Sequence, residues 1–245
     1  MAFNQNHFPA LTQLTAGQES EEQPAIGRIP RTWAIQVGAD KFAARLSGKR
    51  VTRAELVATC ESPTSGVEEM FLSCMAWGGM RQPHGEAAWS SFAKIKPILV
   101  ALKEGKFSRG EAYAEFASKR IPGLGPAFYT KLIHFGGRAH DGYIMDQWTT
   151  KSIHLLIDGP KSPKLDGLGW NENKATGIRW QVARVSDQNT HEEYEVFCQV
   201  IEELALELNS TGSKAEELIF SVGARGRGLP GAWRRHVWEH WRATK

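Results

Sequence analysis

Apolar residues recur every three or four positions along most of the chain, and this spacing is typical of amphipathic helices. The clearest apolar stripe lies in segment 191–208 and consists of Tyr194, Phe197, Ile201 and Leu204. Further helices are predicted from residue 52 onwards and over 68–75, 87–103, 108–119, 126–135, 147–157, 214–222 and 230–241. Strand patterns are sparse, with 33–37 as the one candidate, so the predicted class is mostly α.

Two segments lack this helical spacing. Residues 1–27 are rich in Gln, Glu, Ser and Asn, which predicts a flexible N-terminal arm ahead of a domain over 28–245. Residues 158–179 are rich in Gly, Pro and Asn, which predicts a long loop. Loops of this length in compact domains usually have a function or are mobile.

The composition is that of a soluble globular protein, with 41% hydrophobic and 23% charged residues in a chain of 245. No apolar run is long enough to span a bilayer, and the N-terminus lacks the basic start and apolar core of a signal peptide. Cys60, Cys74 and Cys198 are odd in number and far apart, which favours buried thiols in a reducing compartment. We therefore expect a cytoplasmic location and no membrane partner.

Positive charge is concentrated near the C-terminus. The net charge is only +3, which by itself gives weak support for a polyanionic partner. Residues 223–245, however, contain six Lys or Arg against one acid, and clusters of this kind suit phosphate groups. Arg234 and Arg235 are the candidates for DNA contact, and the alternative is a solvated helix face.

The segment 121–126, Ile-Pro-Gly-Leu-Gly-Pro, predicts a tight turn between two helices. Gly123 and Gly125 would occupy positions that a Cβ atom would block, while Leu124 would tuck between the helices. The amides at the start of the second helix, near Ala127, would then face one DNA phosphate. The alternative is a helix–turn–helix corner without a ligand.

Asp146 opens the predicted helix over 147–157, and aspartate is a preferred N-cap residue. Capping and a role in chemistry are compatible, because a capping carboxylate is held ionised and in one orientation. A rigid negative group of this kind is what stabilisation of a sugar cation requires. The sequence alone leaves capping without chemistry open as the other interpretation.

Together, these motifs resemble the helix-hairpin-helix DNA glycosylase superfamily, whose pattern runs Leu-Pro-Gly-Val-Gly, helix, loop, Val-Asp. Here the pattern reads Ile-Pro-Gly-Leu-Gly, an apolar helix and Ile-Met-Asp, and Gly123 and Asp146 are 23 positions apart. The resemblance is sharpest over 118–157. A looser resemblance, over the flanking helices, is to bacterial proteins with an 8-oxoguanine glycosylase (Ogg-like) fold. It implies a mostly α, two-lobed fold with a shared core.

The resemblance implies base excision, in which the enzyme flips one nucleotide of double-stranded DNA and cleaves the N-glycosidic bond of its modified base. Asp146 would stabilise the sugar cation, while Gly123, Leu124 and Gly125 would hold a phosphate. We expect a monomer associated with the bacterial nucleoid, without a cofactor or a metal ion. The base would be an oxidised purine in repair or, alternatively, a modified cytosine of phage DNA in antiviral defence.

One position departs from the superfamily pattern. Members that also nick the strand carry a lysine just after the second hairpin glycine, which forms a Schiff base. Pro126 and Ala127 fill those places here. Lys131 lies one helical turn after Ala127 on the same face, so it is either a displaced amine nucleophile or a solvent-facing or phosphate-binding lysine. The sequence therefore does not decide whether the protein also nicks the DNA strand. Base removal by water does not depend on this lysine.

Trp77, Gln147 and Trp148 are the candidates for a base pocket. An aromatic face can stack on a flipped base, and an amide can read the edge of that base. The chain has nine tryptophans and eleven phenylalanines, so core packing is the alternative for each of these tryptophans.

Two other functions fit parts of the sequence. Residues 236–240 match HxxEH, the inverted zinc-peptidase motif, with His236 and His240 on one helix face. The five residues that follow offer no third metal ligand, which disfavours a peptidase. A non-catalytic helix-hairpin-helix DNA-binding protein is the stronger alternative, and Asp146 is the residue that distinguishes it from an enzyme.

Overall fold

The structure is a computed structural model that describes residues 2–18, 24–158, 163–172, 177, 179–221 and 231–242. Within these ranges the chain forms thirteen helices and one two-stranded antiparallel sheet, which confirms the mostly α class. In chain order the elements are α1 (Phe8–Thr15), α2 (Pro30–Gln36), α3 (Asp40–Ala43), α4 (Arg53–Glu61), α5 (Val67–Trp77), α6 (Gln82–Ser90), α7 (Phe92–Lys103), α8 (Arg109–Lys119), α9 (Pro126–Gly136), α10 (Gln147–Leu156), β1 (Leu165–Glu172), β2 (Arg179–Val185), α11 (His191–Glu207), α12 (Gly212–Phe220) and α13 (Ala232–His240).

The chain divides into two compact units. Unit 1 combines Met1–Glu21 with Met145–Lys245, and unit 2 is the continuous segment Glu22–Ile144. Helices α2 to α9 belong to unit 2, whereas α1, the sheet and α10 to α13 belong to unit 1. Each unit has its own buried apolar residues.

Unit 2 is built around α5, which is apolar on nearly every side. All of its residues except Glu68 are buried, as expected for a helix without a polar face. Helix α5 packs against α2, α4, α7 and α9. Trp33 of α2 is fully buried, and its Nε1 donates a hydrogen bond to the carbonyl oxygen of Met80 at 3.1 Å.

Unit 1 contains the apolar stripe predicted for segment 191–208. Its four members on α11 are fully buried, which confirms that this face of the helix forms core: Tyr194, Phe197, Ile201 and Leu204. Helix α11 packs against α10 and α12, while α13 contacts α1, α10, α12 and β2. Trp233 of α13 is also fully buried and donates from Nε1 to the hydroxyl of Ser152 at 2.9 Å.

The predicted strand over 33–37 is wrong. Residues 30–36 form helix α2, which starts at Pro30, where the fixed backbone angle of proline suits the first helical turn. Trp33 and Ala34 are both buried, although they are adjacent, because the helix directs both into the unit 2 core.

The predicted loop over 158–179 is wrong for the part that the structure describes. Leu165–Glu172 forms β1, which pairs with β2 in an antiparallel ribbon, and the register shifts between Gly167 and Gly169. Residues 159–162, 173–176 and 178 lie outside the described residues.

Residues 3–15 are folded, which differs from the flexible arm expected over 1–27. Residues 8–15 form α1, which contacts α13, and Phe3 makes a β-bridge with Ile157. Phe3 and Leu11 are buried, so two apolar side chains fix a segment that is otherwise polar.

The three cysteines are buried, as their spacing predicts. The sulfur atoms of Cys60 and Cys74 are 3.8 Å apart, and burial raises the pKa of the Cys74 thiol. None of the helices in the described ranges combines the length and the apolar character that crossing a bilayer requires.

Candidate functional site

The turn between α8 and α9 in unit 2 has the predicted hairpin form. Arg120 ends α8 in a left-handed conformation, and the amide of Leu124 donates to the carbonyl oxygen of Ile121 at 3.1 Å. Gly123 has a φ of +78°, and a Cβ atom there would lie 2.3 Å from the carbonyl oxygen of His84. Leu124 is buried, so it tucks in as predicted. The turn therefore requires glycine at position 123.

The start of α9 has no side-chain cap. Gly125 is the N-cap residue, with a φ of −83° and a ψ of 179°, and Pro126 takes the first helical position. The carbonyl oxygen of Gly125 accepts hydrogen bonds from the amides of Phe128 and Tyr129 at 2.9 and 3.1 Å. Gly125 and Ala127 are half-buried, so the first turn reaches solvent. First-turn amides of this kind are suited to an anionic oxygen.

Asp146 in unit 1 is the N-cap residue of α10. Its Oδ1 accepts from the amides of Trp148 and Thr149 at 2.7 and 3.2 Å, while the amide of Asp146 donates to the Thr149 hydroxyl at 3.0 Å. This reciprocal capping box fixes the orientation of the carboxyl group. Both amide hydrogen bonds fall on Oδ1, so the cap uses one carboxylate oxygen and leaves Oδ2 for another interaction. The residue is half-buried rather than enclosed.

Lys151 is a buried amine one helical turn beyond the start of α10. The residue is 1% exposed, and its Nζ donates to the carbonyl oxygen of Gln181 at 2.6 Å. The same atom lies 4.6 Å from the ring centre of Trp148 and 4.7 Å from that of Trp241. Burial lowers the pKa of Lys151 to about 8, while the charge of Asp146 acts in the opposite direction. The ammonium is thus held between two indole faces, near an anion.

Arg234 of α13 supplies a second cation near Asp146. Burial lowers its pKa to about 10, and the charge of Asp146 partly offsets this effect. Its Nε donates to the carbonyl oxygen of Phe220 at 3.0 Å. Its Nη2 donates to the same oxygen. The guanidinium lies 5.0 Å from the ring centre of Trp148. Two cations therefore flank the Trp148 indole.

Unit 1 thus brings together four of the predicted site residues: Asp146, Gln147, Trp148 and Arg234. The Oε1 of Gln147 lies 3.4 Å both from the Lys151 Nζ and from the Ala183 amide, which ties the start of α10 to β2. The Trp148 ring is half-buried and lies 6.2 Å from the Trp238 ring. Chemically, the arrangement combines an oriented carboxylate, two cations and a partly exposed indole.

The other predicted site residues are dispersed. Lys131 is in unit 2, only 5% exposed, and its Nζ donates to the carbonyl oxygen of Ala127 at 2.6 Å, on the shared face that the sequence predicts. Trp77, also in unit 2, is 3% exposed and packs edge-on against Phe135. Arg235 is exposed on α13. Three other basic residues of the C-terminal cluster lie outside the described residues: Arg225, Arg227 and Lys245.

Comparison with protein families identifies the chain. The family described as "Putative 8-oxoguanine DNA glycosylase OGG-like protein" matches residues 19–220, which include both the hairpin and Asp146. The chain belongs to this OGG-like family. No curated protein and no solved structure matches the chain significantly. Membership in a glycosylase family implies DNA as the substrate of the OGG-like protein.

The sequence did not reveal two parts of the unit 1 site in the OGG-like protein. Lys151 follows Gln147 by four residues, so a helical projection of α10 would have placed both on the face that begins at Asp146. Trp238 stacks on Trp180 of β2 with 4.2 Å between the ring centres. No local pattern signals this second contact, because the two residues are 58 positions apart and meet only in the folded unit.

The HxxEH histidines of the OGG-like protein take part in an aromatic cluster of unit 1. His236 and His240 share one face of α13, with 4.0 Å between the ring centres, and the Nε2 of His236 is 3.1 Å from the Nδ1 of His7. Trp233 covers another face of His236 at 5.0 Å. In the described ranges, no group of three or more His, Cys, Asp and Glu side chains could hold a metal ion.

Two histidines make the stability of the OGG-like protein depend on pH. Burial, reinforced by the charge of Arg53, lowers the pKa of His134 from 6.5 to about 3, and its Nδ1 lies 2.8 Å from the carbonyl oxygen of Gly142. Burial, reinforced by His240 and His7, lowers the pKa of His236 from 6.5 to about 4. In the unfolded chain both imidazoles bind protons below about pH 6.5, whereas in the folded chain they stay neutral to lower pH.

Folding stability is therefore expected to decrease as the pH falls from about 6.5 towards 4, by up to about 1.4 kcal/mol per pH unit for the buried His134 and by less for His236, which solvent partly screens. Urea unfolding at pH 7.5, 6.5, 5.5 and 4.5 measures this decrease. His134→Gln and His236→Gln should each decrease less steeply than the wild type, whatever their stability at pH 7.5. Equal slopes in both variants and the wild type would show that other groups cause the acid sensitivity.

Proposed function

We propose that the chain is a DNA glycosylase that flips a modified base out of double-stranded DNA and cleaves its N-glycosidic bond. The observation that carries the proposal is the Asp146 carboxylate, in which Oδ1 is fixed by two backbone amides and Oδ2 remains for another partner. The charge is oriented before any substrate binds, so it needs little reorganisation during the reaction. Membership in the OGG-like family supports the same activity.

The reaction follows from the charge that develops on the sugar. As the bond between C1′ and the base nitrogen breaks, its electron pair leaves with the base, and the deoxyribose becomes an oxocarbenium-like cation. The Asp146 carboxylate stabilises this cation. Water then adds to C1′, and the proton that it loses neutralises the departing base anion. The products are the free base and an abasic site. Trp148, which is half-buried beside the carboxylate, packs against the flipped base.

The other predicted residues take supporting roles in the proposal. The uncapped start of α9, from Gly123 to Ala127, binds one phosphate of the bent duplex. Arg234 and Arg235 contribute positive charge near the DNA backbone, and Gln147 contributes to base recognition. Trp77 is buried against Phe135 in unit 2, so we assign it to the core rather than to the base pocket. Lys131 is buried and donates to a carbonyl oxygen, so we propose that water, rather than this amine, attacks the sugar.

The family description supports a first candidate for the substrate base. An oxidised purine is the first candidate, because the family description names 8-oxoguanine. The second candidate is a modified cytosine of phage DNA, which would make the protein part of antiviral defence rather than of repair. Excision of either base would use the same stabilisation of the sugar cation by Asp146.

A screen of DNA substrates tests the activity, the base and the nucleophile together. The wild-type protein is incubated with duplexes that contain 8-oxoguanine or another oxidised purine, with unmodified duplex, and with phage DNA that contains modified cytosines. We expect strand breaks in one modified DNA only, and only after alkali treatment, because hydrolysis leaves an intact backbone with an abasic site.

The other outcomes of this screen are equally informative. Breaks without alkali would overturn water as the nucleophile, and borohydride trapping with Lys131→Met and Lys151→Met would then identify the amine. Duplex binding without abasic sites in any DNA would support the alternative, a non-catalytic helix-hairpin-helix DNA-binding protein.

A further inference from the structure

The β1–β2 ribbon of unit 1 exposes apolar surface that the fold does not use. Leu168 is 60% exposed and Trp170 is 52% exposed, and they are two of the five large apolar side chains exposed in the described ranges. From Gly167 onwards, every residue of β1 is exposed or half-buried. Exposed tryptophan on a two-stranded ribbon costs solubility, which suggests that this surface has a partner.

Three residues of β2 attach the ribbon to the candidate site. Trp180 stacks on Trp238 of α13 with an angle of 8° between the rings. The carbonyl oxygen of Gln181 accepts from Lys151, and the amide of Ala183 is 3.4 Å from Gln147, the residue next to Asp146. The ribbon therefore keeps a fixed position relative to the carboxylate of unit 1.

The exposed end of the ribbon combines an aromatic side chain with positive charge. Side chains alternate between the faces of a strand, so Arg179 and Gln181 lie on the same face of β2. Trp170 is paired with Gln181 in the register, which makes Arg179 its diagonal neighbour across the ribbon. The guanidinium groups of Arg179 and Arg242 lie 5.7 and 5.5 Å from the Trp170 ring centre.

We propose that this exposed cluster, formed by Trp170, Arg179 and Arg242, is a second DNA contact that binds the duplex beside the excised nucleotide. The proposal rests on the proposed function, because it takes the substrate to be a duplex held at Asp146. The two guanidiniums bind backbone phosphates, and the indole packs against the sugar and base edges between them.

Charge and size both favour duplex DNA as the occupant. Two cations around one indole complement a polyanion with an apolar interior. The eight residues of β1 extend about 25 Å, which is about seven base pairs of duplex, and a two-stranded ribbon fits a major groove. A contact of this length covers less than one helical turn of the duplex.

Affinity for an undamaged duplex tests the contact without any chemistry. Trp170→Ala, Arg179→Ala and Arg242→Ala are compared with the wild type by fluorescence anisotropy at several salt concentrations. Each arginine variant should raise Kd about three- to ten-fold and lower the slope of log Kd against log salt by about 1. Trp170→Ala should raise Kd about five-fold or more with an unchanged slope, and Trp170→Phe should restore most of the affinity.

Arg184→Ala is the matched control, because Arg184 lies on the same ribbon but its Nε is paired with Asp166 at 3.2 Å. It should change Kd less than Arg179→Ala or Arg242→Ala does. Wild-type Kd and slope in all three test variants would overturn the contact. An equal loss of affinity for single-stranded DNA would overturn duplex as the occupant.

The two proposals fail in different ways. If the ribbon proposal alone is wrong, the wild-type protein excises a base while the ribbon variants bind DNA normally. If the proposed function alone is wrong, no base is released from any DNA, yet the ribbon variants still lose duplex affinity.

Discussion

Asp146→Asn is expected to slow single-turnover base release by about 10²- to 10³-fold, which is the effect of losing one oriented electrostatic group at a reacting centre. Asparagine caps a helix about as well as aspartate, so α10 keeps its start while the site loses its negative charge. The pKa of Lys151, about 8 in the wild type, should fall further, because Asp146 acts to raise it. Quenched-flow assays on the DNA identified by the screen measure the rate.

Asp146→Ala is the companion variant, because it removes both the charge and the cap. It should lose the same activity as Asp146→Asn and, in addition, about 1 kcal/mol of folding stability. Both variants are compared with the wild type in urea unfolding and in duplex binding. If Asp146→Asn released the base at a rate within about three-fold of the wild type, Asp146 would be a helix cap only.

Gly123→Ala is expected to destabilise unit 2 by about 2–4 kcal/mol, because the substitution combines backbone strain with a steric clash. The φ of +78° is unfavourable for alanine, and its Cβ would lie 2.3 Å from the carbonyl oxygen of His84. That oxygen belongs to the backbone of α6, so it cannot move aside as a flexible side chain would. Urea unfolding followed by circular dichroism measures the loss.

Gly125→Ala separates the fold of the hairpin from its binding. The φ of −83° at this position is open to any residue, so we expect a loss of about 1 kcal/mol or less. The added methyl group nevertheless lies at the helix start proposed to bind phosphate, and duplex affinity should decrease. Wild-type stability in Gly123→Ala would contradict the close approach to His84, and wild-type affinity in Gly125→Ala would contradict the phosphate site.

Local signals explain what the sequence could predict. The hairpin depends on one glycine with positive φ, the start of α10 on one aspartate, and the α11 core face on a stripe with helical spacing. Each of these features is determined within a few residues, so a pattern in the sequence reports it directly. The family resemblance then added the expectation of chemistry at Asp146.

Nonlocal contacts explain what the sequence could not predict. Strand β1 contains two glycines and two polar residues of low strand preference, Asp166 and Asn171, and its pairing with β2 and the Trp180–Trp238 stack hold the ribbon in place. Lys151 is buried because Gln181 and two indoles surround its amine. These contacts join residues that are distant in sequence and become visible only after folding.

The division of unit 1 between two chain segments has a consequence for synthesis on the ribosome. Helix α1 is translated first, yet it packs on α13, and His7 meets His236 across 229 positions. Unit 2, being continuous, can complete its own contacts while the later helices are still being made. Unit 1 must instead close a loop of more than two hundred residues, which is a slow step because of its high contact order. Helix α1 is thus synthesised long before α13, and it is among the last helices to reach its native neighbours.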